Sequence, residues 1–313
     1  MSMDIIYSPR CLEYAAPGHP ESPARVRRAA ARLEKSGCVW QSPEPCTTTD
    51  ILRVHSPAVL EAVKTGNYQD ADTPWFPNID ELARLAAGSA LLAARQALKE
   101  GPALSLMRPP GHHAERDRIM GFCYFNNLAI AVAKVLADGV VQRVGILDFD
   151  CHHGNGTEDV FYGNDRVLFV SVHQSPCFPG TGLRSRGNCL NYPLPPHTAG
   201  PEFLAAVDRA LDQLRGFDPQ LLAISAGFDA YLGDPITSMG VEIDDYREIG
   251  RSIARFTHRP TELLPSFAVL EGGYANEMDR CVEAFVTGWT EGNDSQLAPT
   301  KDHRDGRDHL PKL

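Results

Sequence analysis

The sequence predicts an open, mainly parallel α/β sheet with helices on both faces, built as a single domain over residues 1–290 and followed by a polar tail over 291–313. Three observations carry this. Short runs rich in Val, Ile, Leu and Phe alternate with longer segments of helical spacing, the pattern of βαβ units. The short runs are apolar without interruption, as strands covered on both faces must be. Residues able to do chemistry gather directly after those runs, where open parallel sheets hold their ligands.

In chain order, strands are expected at 3–7, 103–107, 143–149, 167–172, 221–225 and 266–270. Helices are expected at 22–36, 80–99, 126–138, 201–215, 244–257 and 277–288. Pro201 opens its helix, where the missing N–H costs nothing. The 313 residues do not force two domains, because α/β architectures of about 250 residues or more often form one. With 43% apolar and 22% charged residues there is ample material for a large core. From Glu291 the chain reads EGNDSQLAPTKDHRDGRDHLPKL, polar and aperiodic, which predicts a mobile tail.

A formal net charge of -10 with no clustered basic run excludes a grip on nucleic acid, which needs a basic face against the phosphates. It suits cationic partners such as lysine side chains or polyamines, and equally a plain role in solubility. The eight cysteines are scattered without a C-x-x-C pair, so neither a zinc ribbon nor a redox dithiol is indicated. The start MSMDIIYSPR lacks the basic and apolar regions of a secretion signal, and no stretch reaches the roughly 18 apolar residues of a membrane span. The cytoplasm is the expected compartment, with no membrane partner; the oligomeric state is left open.

Around the strand ends the chain reads RPPGHHAERDRIMGFCYFNN, DFDCHHGNGTED, HQSPCFPGTG, AGFDAYLGDP and EGGYANE. Asp150 and His152 stand two apart at one of these ends, so extended backbone turns both side chains to one face. Asp229, at the end of another strand, offers a third ligand. Two carboxylates and one imidazole balance a divalent ion and leave a coordination position for water, as catalytic zinc sites do. A lone D-x-H is weak evidence, since most such pairs are a surface charge beside a packed histidine. Two tandems, His112–His113 and His152–His153, on neighbouring strand ends weigh more, because buried imidazoles need costly arrangements of partners.

The segments RPPGHHA, GFCYFNN, ILDFDCHHGNGTED, FPGTG, SAGFDAYLGDP and LEGGY, in this order, resemble the histone deacetylase family of the arginase-deacetylase superfamily. They run from residue 108 to 274, and HPESPARV with VHSPAVL at 54–60 extends the likeness over nearly the whole chain. Gly-Asn-Gly after the second tandem and LEGGY are similar to class II and bacterial members. The resemblance implies the arginase-deacetylase fold, with zinc held by Asp150, His152 and Asp229. It makes His112 and His113 the catalytic histidines, Asp148 the hydrogen-bond partner of His112, and Tyr274 the group that polarises the substrate carbonyl. His113 would take a proton from the attacking water and return it to the leaving amine. Asn155 stands where class I members carry an aspartate, which implies a less basic second histidine.

The same contexts make Phe122 and Phe178 the paired aromatics of a narrow tunnel, with Gly121 beside them, Ile236 at the gatekeeper position and Asp72 at the rim. Gly272 and Gly273 are expected to bring backbone close to the substrate. Asp148 and Ser171, with backbone at Asp150, His152 and Val172, resemble a structural monovalent cation site for K+. The implied partners are acylated lysine side chains of proteins or peptides, with acylated polyamines as the alternative. Apolar Ile236 favours acyl-lysine, whereas Glu13, Asp72, Glu115 and Asp117 are the acids that would favour a polyamine. A non-catalytic acyl-lysine binding module would be expected to lose a ligand or the tyrosine, and all are present. Cys123 and Cys177, near the tunnel, read as packing, and Cys151 as core.

Overall fold

A computed structural model of the chain describes residues 3–295. The six expected strands form as β1 Asp4–Ile6, β3 Ala103–Ser105, β4 Val144–Asp148, β5 Val167–Gln174, β7 Leu221–Ala226 and β8 Ser266–Leu270. Two more, β2 Val39–Gln41 and β6 Cys189–Leu194, were not foreseen. Both are edge strands: β2 is three half-exposed residues, and β6 contains Pro193, which a sheet tolerates at its margin and a strand search rejects.

The expected helices are α1 Pro23–Leu33, α4 Ile79–Ala97, α5 Asn127–Ala137, α7 Gly200–Phe217, α8 Ile243–Thr257 and α9 Met278–Ser295. Short helices α2 Thr48–Ile51, α3 Pro57–Thr65 and α6 Asn155–Phe161 join them. Helix α9 continues through Glu291 to Ser295, so the first residues of the expected tail are helical; 296–313 lie outside the described residues. No helix among the described residues is long and apolar enough to cross a membrane.

All eight strands run parallel in the order β2-β1-β3-β8-β7-β4-β5-β6, giving a single α/β domain. Successive residues alternate between two cores. Leu147, Val170, Ile224 and Ala268 face α1, α7, α8 and α9. Ile146, Phe169, Ala223 and Phe267 face α2, α3, α5, α6 and most of α4. Coverage of both faces accounts for the unbroken apolarity of the strands.

Strand order also fixes the position of the site. From β3 the chain skips two places to lay down β4, β5 and β6, then returns to fill the gap with β7 and β8. The reversal opens a crevice beyond the carboxyl ends of the central strands, where ligands of such sheets bind. Phe149 and Phe228 precede Asp150 and Asp229 and pack edge to face at 6.2 Å, with Phe285 of α9 against both. Each fully buried Phe contributes roughly 1.5–3 kcal/mol. The ligand-bearing turns are therefore anchored in the core one residue before the functional side chain.

Candidate active site

Asp148 closes β4, and Asp150 and His152 lie in the bend that follows. The Asp150 Oδ1 atom accepts from the His152 backbone N–H at 2.9 Å, an Asx-type turn. The two side chains converge through this turn rather than through the strand alternation anticipated from their spacing. Asp229 Oδ1 accepts from the Cys151 N–H at 2.8 Å, while its Oδ2 lies 2.9 Å from His152 Nδ1 and Asp150 Oδ1 lies 3.2 Å from the same nitrogen. Donor atoms of all three residues fall within 4.8 Å of one another and all three are buried.

This set fits a divalent cation. One imidazole nitrogen, carrying at most one proton, faces two buried carboxylates and cannot satisfy both; a cation among them can. Gly272 leaves the room required: a Cβ there would stand 2.2 Å from Asp229 Oδ2 and 2.6 Å from Asp150 Oδ2. Its N–H donates to Asp150 Oδ2 at 2.7 Å. Two oxygen donors and one nitrogen donor match what zinc accepts.

The adjacent histidines sit in opposite electrostatic surroundings. For His112, burial opposes the imidazolium but Asp150 and Asp148 outweigh it, raising the ring to about 10. Its Nδ1 lies 3.1 Å from Asp148 Oδ2. Because those carboxylates supply the shift, a cation between Asp150 and Asp229 would draw it down. His113 is pushed well below the ordinary histidine value by burial and by the rings of His112 and His152, and is neutral at pH 7. Asn155 Nδ2 donates to Glu115 Oε1 at 2.7 Å, which turns the Asn155 Oδ1 atom toward His113 Nδ1 at 2.7 Å. His113 therefore donates through Nδ1 and keeps a lone pair on Nε2. Asn155 sets the tautomer.

Three supports escaped the sequence reading. Glu271 Oε2 accepts from the backbone N–H groups of Gly111 and His112 at 2.7 and 3.1 Å, and Oε1 accepts from Ser225 Oγ at 3.1 Å. Burial raises the Glu271 carboxyl to about 7. Arg25 donates to the carbonyls of Gly273 and Glu271 at 2.5 and 2.6 Å and lies 4.6 Å over the Tyr274 ring. Glu21 joins the two loops, accepting from Arg25 at 2.9 Å and from Arg108 at 2.5 and 2.6 Å. These residues lie inside the motifs HPESPARV, RPPGHHA and LEGGY, but apart from the i,i+4 pair of Glu21 and Arg25 their partners lie 46 to 248 residues away, beyond the reach of any spacing rule.

A cavity of about 380 Å³ opens over this base. His113, His152 and Tyr274 meet it, and Gly121, Phe122 and Phe178 line it. Asp72 and Ile236 complete the expected lining; Phe178 and Ile236 are 40% and 39% exposed, which places them at the mouth. Burial raises Tyr274 well above the usual phenol value, so its hydroxyl keeps its proton. His19, Pro20 and Cys177 also line the cavity, so Cys177 is a wall residue, not buried packing, whereas Cys123 and Cys151 are buried as expected.

Gly272 and Gly273 lie behind the ligands and do not line the cavity, because their missing side chains make room for carboxylates and for Phe228. Of the candidate rim acids only Asp72 reaches the cavity. Glu13 pairs with Arg10 at 3.4 Å, Glu115 serves Asn155, and Asp117 borders a different depression. Ser171 is the register neighbour of Asp148 across β4 and β5, with Val172 next to it, so the residues named for a monovalent cation lie together beside the ligand turn.

A buried nitrogen–oxygen donor triad, a neutral histidine and a protonated phenol meeting at the base of an aromatic-walled cavity define the equipment of an amide hydrolase. Comparison with known proteins gives the family. The histone deacetylase domain model matches residues 19–289. A probable deacetylase of Methanothermobacter thermautotrophicus is 40% identical over 304 residues, covering 91% of this chain and 90% of its own. A histone deacetylase-like amidohydrolase of Pseudomonas aeruginosa is 39% identical over 284 residues, covering 83% and 74%. The crystal structure of acetylpolyamine aminohydrolase from Burkholderia pseudomallei superposes with a TM-score of 0.82 at 28% identity, covering 93% of this chain and 99% of that one. The chain belongs to the histone deacetylase family and is a deacetylase-like amidohydrolase with the arginase-deacetylase fold.

Proposed function

We propose that the protein is a zinc-dependent deacylase acting on the ε-amine of acylated lysine in proteins or peptides. The observation that carries this reading is the convergence of Asp150, His152 and Asp229 with His113 and Tyr274 at the base of a cavity walled by Phe122 and Phe178. Such walls hold the methylenes of a lysine side chain by apolar contact. Zinc held by the three ligands supplies Lewis acidity toward the acyl oxygen and water. His113, neutral with a free Nε2 lone pair, accepts the proton of the attacking water and returns it to the departing amine. The Tyr274 hydroxyl donates to the oxyanion that develops at the acyl carbon. His112 and Asp148 hold the neighbouring ring in place, and Asn155 orients His113. In this reading Asp148 and Ser171, with backbone of Asp150, His152 and Val172, cradle a structural K+.

A second reading, hydrolysis of acetylated polyamines, is favoured by Asp72, the acid that reaches the cavity, and by relatives named for that activity. Apolar Ile236 weighs against it, because a second ammonium at an apolar rim loses hydration without gaining a pair. Steady-state assays of acetyl-, longer acyl- and trifluoroacetyl-lysine peptides beside acetylated putrescine and spermidine separate the two. Higher kcat/KM on the peptides supports the first reading, and preference for a polyamine replaces it with the second.

A further inference from the structure

Gly121 and Phe122 both adopt left-handed backbone, with φ of 60° and 68°. An aromatic residue is disfavoured there, so surrounding contacts must hold it. The segment runs close against the site: a Cβ on Gly121 would stand 2.7 Å from His113 Cδ2 and 2.9 Å from Phe178 Cε1. The Phe122 ring packs edge to face on Tyr274 at 5.6 Å and on His19 at 4.7 Å.

Two side chains from the loop before α4 hold this segment. The Gly121 N–H donates to Asp70 Oδ2 at 3.1 Å, and the Phe122 N–H donates to Thr73 Oγ1 at 2.9 Å. The Thr73 hydroxyl in turn donates to Asp70 Oδ2, and Thr73 is buried. Between these two residues lies Asp72, whose carbonyl is 3.1 Å from His19 Nε2. The Glu21 N–H donates to His19 Nδ1 at 3.1 Å, so Nε2 carries the proton and donates to Asp72. Rim and wall are thereby joined into one body. The His113 ring is held from another side, by Asn155 Oδ1 at 2.7 Å from its Nδ1.

We propose that Asp70 and Thr73 are positioning residues that set the tunnel wall, holding Phe122 in its left-handed conformation and fixing its spacing from Tyr274 and Phe178. Because the strap touches the wall and not the proton-transfer groups, its loss weakens substrate binding and leaves the chemical step nearly intact. The inference rests on the acyl-amine hydrolase reading above.

The test combines amide hydrogen exchange with kinetics on Thr73→Val, Thr73→Ser and Asp70→Ala, using an acetyl-lysine peptide and N-acetylputrescine as substrates. Thr73→Val and Asp70→Ala are expected to speed exchange at Gly121 and Phe122 and to raise KM about tenfold, the scale of one lost hydrogen bond, with kcat within about threefold. Thr73→Ser, which keeps the hydroxyl, restores both. Unchanged exchange at Phe122, failure of Ser to rescue, or a fall in kcat at constant KM overturns the proposal. A wild-type enzyme inert on both substrates removes the parent reading instead, and the exchange result then decides whether the strap exists.

Discussion

At the base of the cavity Asp148, Asp150 and Asp229 are wholly buried, and each carboxylate is committed to neighbouring backbone N–H groups or histidine rings within a few ångströms. At the mouth, Phe178 and Ile236 are 40% and 39% exposed and project from loops after β5 and β7. The base grows from turns anchored by Phe149 and Phe228 in the core, so its geometry is held by the same contacts that hold the sheet. The mouth is held by a few side chain–backbone bonds such as Asp70 to Gly121. This contrast implies that substitutions at the base abolish the reaction while those at the mouth redirect it.

The largest effect is expected from the ligands. Asp150→Ala or Asp229→Ala should abolish zinc retention and activity together, because each leaves the ion short of a donor and the site's charge unbalanced. Metal analysis of the purified variants reads this, and full zinc occupancy in either would show that the ligand set is wrong. Tyr274→Phe should keep its metal and lose roughly 10²–10³-fold in kcat, the scale of one oxyanion donor. Near-normal turnover would remove Tyr274 from the mechanism.

Behind the base, the Glu21 joint makes a prediction about pH. Burial opposes ionisation of Glu21, but Arg108, Arg25 and the Tyr14 hydroxyl more than offset it and hold the carboxyl down at about 2. Its folded value lies below the unfolded one, so the stabilisation is fully present above about pH 4.5 and is lost as pH falls toward 2. The gap corresponds to about 3 kcal/mol. Glu21→Gln should flatten the acid limb of a denaturation series by that amount, and an unchanged limb would show that the folded protein does not hold the Glu21 carboxyl below its unfolded value. The smallest effect belongs to the mouth. Ile236→Glu should shift the kcat/KM ratio several-fold toward N8-acetylspermidine, because a partly exposed ion pair contributes about 1 kcal/mol. A ratio that does not move would place the second ammonium away from residue 236.

What could be read from sequence follows the same division. His112, His113, Asp150 and His152 stand in short motifs at the ends of apolar runs, so the sheet's direction alone brings them to one edge. The fold class was legible because strands buried on both faces cannot hide their composition. Legibility fails where partners are remote. Apart from the i,i+4 pair of Glu21 and Arg25, the bonds described for Glu21, Arg25, Arg108 and Glu271 span 46 to 248 residues, and the edge strands β2 and β6 are too short or too interrupted by proline to announce themselves. The Asx turn at Asp150 escaped for a different reason: residues two apart share a face in a strand and also in that turn, so the spacing was right for the wrong cause.

The most direct test of the account is metal removal and return on the intact enzyme. Purified protein is assayed on an acetyl-lysine peptide before chelation, after chelation, and after addition of one equivalent of zinc, with bound metal counted at each stage. The account predicts about one zinc per chain, loss of turnover with the metal, and recovery on its return in the wild type but not in Asp229→Ala. Turnover that survives complete removal of metal would contradict it.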